Sequence, residues 1–147
     1  MQHAIKLFVI SSLLLSFSSF AKSPIYTGFF SNQAVSGYDT VAYFTQAKPV
    51  QGRKKFSYKY KGENWYFSNN QHLILFKADP EKYAPQYGGY CAYAIAQNDT
   101  VSADPEQWTI VNGKLYLNYN AEIKYKWLKN KTKFIQQADQ NWPDVLN

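Results

Sequence analysis

Residues 83–96 read Tyr83-Ala84-Pro85-Gln86-Tyr87-Gly88-Gly89-Tyr90-Cys91-Ala92-Tyr93-Ala94-Ile95-Ala96, and the rest of the chain is organised around them. The stretch holds the only cysteine of the protein, four tyrosines around it, and a Gly-Gly pair just before it. Adjacent glycines let the backbone turn sharply, take positive φ, or pass close to another group. The residues after them are small or aromatic. That composition predicts a tightly packed central segment, with Cys91 inside a cleft or at its mouth.

Downstream, residues 97–103 read as a polar loop. Trp108 to Val111 and Leu115 to Asn118 then form a hairpin around Asn112-Gly113, a strong two-residue turn signal. Asn120 caps a long amphipathic C-terminal helix, on which Ile123, Trp127, Phe134 and Ala138 recur at helical spacing between lysines.

Upstream, Ala78-Asp79-Pro80-Glu81-Lys82-Tyr83 is echoed by Ala103-Asp104-Pro105-Glu106-Gln107-Trp108. In each, Asp reads as a helix cap and Pro as the first helical residue. Ser68-Asn69-Asn70-Gln71 reads as a capping box, with Ser68 as the cap of a helix running to about Lys77. Before it, Phe56, Tyr58 and Tyr60 alternate with Ser57 and Lys59, the period of a half-buried strand. Lys61-Gly62-Glu63 is the turn, and Trp65 and Phe67 continue the aromatic face on the return strand. Ser36 or Asp39 caps a short helix through about Ala47. Short antiparallel hairpins packed with helices make a small single α+β domain.

The first 21 residues stand apart from that domain. A basic start is followed by the apolar run Leu7 to Phe17 and by Ser19-Phe20-Ala21, small residues at the −3 and −1 positions. That is the layout of a secretory signal peptide cleaved after Ala21. It predicts a periplasmic or secreted domain over residues 22–147. The run is shorter than the roughly 20 apolar residues a bilayer span needs.

One cysteine excludes an internal disulfide, so stability comes from an aromatic core. The formal charge is +6 and clustered. Lys48, Arg53, Lys54, Lys55, Lys59 and Lys61 form one group, and Lys124, Lys126, Lys129, Lys131 and Lys133 another. They are solvated faces, or surfaces for anionic lipid, cell-wall polymer or an acidic partner. No nucleic-acid motif accompanies them.

From Gly37 to Trp142 the chain resembles exported proteins built on a YHS domain. The residues that carry the resemblance are Gly37-Tyr38-Asp39, Val41-Ala42-Tyr43-Phe44, Tyr66-Phe67-Ser68, Phe76, Asp79-Pro80 and Tyr83. Tyr87-Gly88-Gly89-Tyr90-Cys91-Ala92, Gly113-Lys114-Leu115-Tyr116-Leu117-Asn118 and Asn141-Trp142-Pro143 complete the set. The resemblance implies a small α+β domain and a metal-binding role, because related domains are attached to copper and heavy-metal pumps. The chain departs from the family at Phe67, which stands where the family name has histidine. Where metal-handling relatives place cysteines, it has Ala42 and His72.

Three chemistries are open to these residues. The first is a transition metal, copper or zinc, on Cys91 and His72. A closed zinc site takes four N or S ligands and a copper(I) site takes thiolates or thioethers, so a third ligand must be Asp, Tyr or a second chain. The second is an aromatic cleft for a small ligand or partner, lined by Tyr87, Gly88, Gly89, Tyr90, Tyr93, Trp65 and Trp108, with Cys91 purely structural. The third is a thiol enzyme, in which Cys91 needs His72 as its base. Nothing in the spacing brings those two together, so the reading is of a binding protein and not an enzyme.

Overall fold

The computed structural model describes residues 21–28 and 30–147. The leader read over residues 1–21 lies outside them except for Ala21. After an N-terminal arm, a 3-10 turn at Ala34–Gly37 leads into helix α1, Thr40–Thr45. Strands β1, Arg53–Tyr60, and β2, Glu63–Phe67, form the first hairpin. Helices α2, Asn70–Ala78, and α3, Pro80–Tyr83, follow, then a 3-10 turn at Gln86–Gly89 and helix α4, Ala92–Ala96. Strands β3, Asp104–Val111, and β4, Lys114–Asn118, form the second hairpin. Helices α5, Ala121–Lys129, and α6, Lys131–Asn141, close the chain before a last turn at Asp144–Leu146.

The fold is α+β, as the pattern predicts. Each hairpin is its own two-stranded antiparallel sheet. Both carry a register irregularity, between Arg53 and Ser57 in one and between Asp104 and Trp108 in the other.

Three local readings change. Asn69, not Ser68, caps α2, its side chain accepting from His72 N–H at 2.8 Å. The Ser68 hydroxyl is instead drawn to Asp39. Asp79-Pro80 does start a helix, with Asp79 accepting from Lys82 N–H, but its echo Asp104-Pro105 starts a strand. Asp104 satisfies Glu106 N–H only two residues on, and the Pro105 carbonyl accepts from the buried Tyr43 hydroxyl at 2.8 Å. Tertiary packing overrides the local preference. The C-terminal amphipathic segment is divided at Asn130, where φ is −147°, into α5 and α6.

The core has two clusters. One gathers Val41, Tyr43, Trp65, Phe67 and Phe76 around the first hairpin. Phe76 sits at its centre, with ring centroids 4.9 Å from both Trp65 and Phe67. The other gathers Tyr87, Tyr90, Ile95, Tyr116 and Trp127 against α4, α5 and α6. Strand β4 lies between them. Leu115 and Leu117 belong to the first cluster and Tyr116 to the second, because successive side chains on a strand point to opposite sides.

Candidate functional site

Asp39 is the N-cap of α1 and has no solvent exposure. Its Oδ1 accepts from Val41 N–H and Ala42 N–H at 3.0 and 3.3 Å. Its Oδ2 accepts from Ser68 N–H at 2.8 Å, from the Ser68 hydroxyl at 2.6 Å and from His72 Nδ1 at 2.6 Å. One buried carboxylate therefore joins α1, the end of β2 and the first turn of α2. A buried charge is tolerated only when it is paired and hydrogen-bonded, and here five donors meet it. The contact with Asp39 puts a proton on Nδ1 of His72. The other ring nitrogen, Nε2, faces Thr45 Oγ1 at 3.2 Å. Both nitrogens of His72 are thus engaged inside the protein, and the residue is 6% exposed.

Cys91 precedes α4, and its N–H donates to the Val101 carbonyl at 2.9 Å. Its Sγ lies 3.6 Å from Asn118 Oδ1, which also accepts from Tyr93 N–H. Burial pushes the thiol above its ordinary range, although nearby backbone amides of Ala94, Tyr119 and Tyr93 favour the thiolate. Cys91 borders a hollow of about 300 Å³ whose walls include Tyr93, Val101, Tyr119 and Ile123. Among the described residues Cys91 and His72 have no hydrogen-bond partner in common, and His72 does not line the hollow beside Cys91. Among the described residues no group of three His, Cys, Asp or Glu side chains is placed to hold a metal ion. Cys91 and His72 are thus each engaged by different neighbours, and among the described residues no third His, Cys, Asp or Glu completes a metal centre with them.

The single aromatic cleft read from the sequence is divided. Trp65 is buried in the first cluster, its Nε1 donating to the Tyr60 carbonyl at 3.0 Å, and Trp108 packs on Tyr43. Neither lines the hollow beside Cys91 or the cavity beside Tyr87. Tyr90 packs on Tyr26 and donates to the Ser23 carbonyl, and Tyr93 sits beside Cys91. Gly89 is buried against Pro85 and Val35. Tyr87 and Gly88 do border a cavity, of about 430 Å³.

That cavity is built on a strained turn. Tyr87, Gly88 and Gly89 all have positive φ, at 56°, 60° and 87°. For tyrosine this is a genuine outlier. It places the Tyr87 ring between Tyr116 and Trp142, with centroids 6.0 Å away in each case. The Tyr87 hydroxyl donates to Asp139 Oδ1 at 2.8 Å, and burial together with that carboxylate pushes the phenol well above its ordinary value. At Gly88 a Cβ would lie 1.8 Å from the Pro24 carbonyl oxygen, so only glycine lets the N-terminal arm dock there. Tyr60, Lys61 and Glu81 also border the cavity, as do Lys114 and Trp142. The Tyr60 hydroxyl and Lys61 ammonium both reach Glu81 Oε1, at 2.5 and 3.1 Å. Glu81 and Lys114 fall inside stretches quoted above and Asp139 does not, but nothing local marks the three as neighbours. They come from three distant segments that only the fold brings together.

The family model of the YHS domain matches residues 41–87. The chain carries a YHS domain. The matched span runs from α1 to Tyr87, so the YHS domain contains Ser68 and His72, while Asp39 lies two residues before it. In this YHS domain the serine of Tyr66-Phe67-Ser68 has a visible task, since it gives two of the five hydrogen bonds to Asp39. Cys91, the second hairpin and α5 and α6 lie after the match. No characterised protein in the curated comparison matches the chain, and no solved structure does. Among the described residues no helix is long and apolar enough to cross a membrane.

Proposed function

We propose that the chain is an exported, periplasmic or secreted, binding protein with no catalytic step of its own, holding a small molecule in the cavity beside Tyr87. The observation that carries this reading is the cavity itself. It is about 430 Å³, within the size range of small-ligand sites, and mixes aromatic walls with a few charged groups. A strained tyrosine forms its wall, and strain of that kind clusters at binding and switch sites. Cys91 is then structural, a buried thiol filling space beside Asn118.

A second reading is supported by the YHS match: binding of a transition metal such as copper. Within one chain the donors for it are His72, with both nitrogens already bonded, and Cys91, held as a thiol. A metal would draw further ligands from a second chain. The basic clusters are compatible with an acidic or anionic partner, because Arg53, Lys54, Lys55 and Lys59 are exposed and none is in an ion pair among the described residues.

The test is to express the full chain with export intact and recover the product from the periplasm. Native mass spectrometry reads both the start of the processed chain and any bound small molecule, and elemental analysis reads copper and zinc. A co-purifying organic mass without stoichiometric metal supports the first reading. Stoichiometric metal that is lost in Cys91→Ser or His72→Ala replaces it with the second. Retention of the leader in the cytoplasm removes the exported assignment.

A further inference from the structure

The charges around the cavity say what kind of molecule it takes, and this step rests on the cavity reading above. Four charged side chains border it: Lys61 and Lys114, Glu81 and Asp139. Their formal charges cancel. Lys61 and Glu81 already satisfy one another at 3.1 Å. Lys114 and Asp139 do not. Among the described residues Lys114 has no carboxylate within ion-pair range, and Asp139 has no cation within it. Asp139 receives one hydrogen bond, from the Tyr87 hydroxyl, which leaves acceptor capacity on both oxygens. So one free cation and one free anion, on the second hairpin and on α6, border the same cavity without meeting.

A purely anionic ligand would gain Lys114 and meet Asp139 and Glu81. A purely cationic one would meet the lysines. An apolar one would leave both charges unused. A dipolar molecule satisfies both at once, and complementary charge is what fixes the orientation of a ligand. Tyr60, Tyr87 and Trp142 supply apolar area for its body. We infer that the cavity binds a small zwitterion of amino-acid or dipeptide size, its carboxylate against Lys114 and its ammonium against Asp139.

The test is calorimetric titration of the purified full-chain product with free L-amino acids and dipeptides, beside their N-acetyl derivatives, their amides and neutral sugars. Free zwitterions bind, and blocking either end lowers affinity by roughly tenfold or more, the loss of one charge-assisted hydrogen bond. Lys114→Gln weakens zwitterions by a similar factor and leaves the affinity of the amides unchanged. Lys114 is exposed at the start of β4, so the thermal midpoint of that variant stays put. Asp139→Asn weakens zwitterions and leaves the N-acetyl derivatives unchanged. If blocked compounds or sugars bind as well as free zwitterions, this inference is overturned and the cavity reading survives. If no compound of any class binds, both fall.

Discussion

His72 Nδ1 lies 2.6 Å from Asp39 Oδ2, and both residues are buried. The carboxylate belongs to the cap of one helix and the imidazole to the first turn of the next, so the bond sets how α1 and α2 meet. Asp39→Ala removes the acceptor of all five donors and strands them, and lowers stability by about 3–5 kcal/mol. His72→Ala leaves four donors on the carboxylate and lowers it by about 1–3 kcal/mol. Urea unfolding of both variants checks the ranking. Equal losses would mean that the imidazole alone, and not the whole donor set, holds the charge.

The Cys91 thiol has an ordinary value near 9, and burial raises it. A raised value means that the folded state holds this proton more tightly than the unfolded chain. The contribution to stability is therefore full below pH 9 and is lost as pH rises from there through the folded value. Near neutral pH the thiol is protonated and 1% exposed, so iodoacetamide labels it far more slowly in the native protein than in urea. Fast native labelling near pH 7 would return the thiol enzyme to contention.

Gly88→Ala drives a Cβ into the Pro24 carbonyl at a position where φ is +60°. The N-terminal arm must lift, which breaks the hydrogen bond from Tyr26 N–H to the Gly88 carbonyl. The expected loss is about 2 kcal/mol or more, from clash and backbone strain together. Hydrogen exchange locates the effect, with Tyr26 N–H losing protection while β1 and β2 keep theirs.

Glu81 is held below its ordinary value of 4.5, first by the Tyr60 hydroxyl and then by Lys61. A lowered value favours the folded state above that ordinary value, and the benefit fades as pH falls through the folded one. The groups are exposed, so solvent screens the effect and it is small. Carboxyl NMR titration sees it directly. The Glu81 midpoint lies below that of an unpaired glutamate and moves upward in Tyr60→Phe.

The hairpins were legible because their cues are local. Alternation from Phe56 to Tyr60 and the Asn112-Gly113 turn need no distant partner to be read. Asp39 was legible as one of two candidate caps beside Ser36, since Asp before an apolar helix is a local signal, and the structure selects it. Its second role was not, because Ser68 and His72 meet it from about thirty residues away. Asp104-Pro105 misled for the same reason in reverse. The dipeptide looks like Asp79-Pro80, and the difference lies in Tyr43, which bonds the Pro105 carbonyl from another helix. Of the residues read as one cleft, Tyr87 and Gly88 reached the large cavity because their strained backbone puts them there. Trp65 and Trp108 were drawn into packing instead, which is where large rings do most to exclude water.

Strand β4 sorts its side chains between two interiors, with no face left for solvent between Leu115 and Asn118. Its tolerance to change in length is accordingly far lower than its tolerance to change in side chain. Deleting one residue there would exchange the two sets, sending leucines where Tyr116 belongs and the tyrosine toward the other interior. A substitution damages one neighbourhood, whereas a frame slip in this strand would scramble both at a stroke.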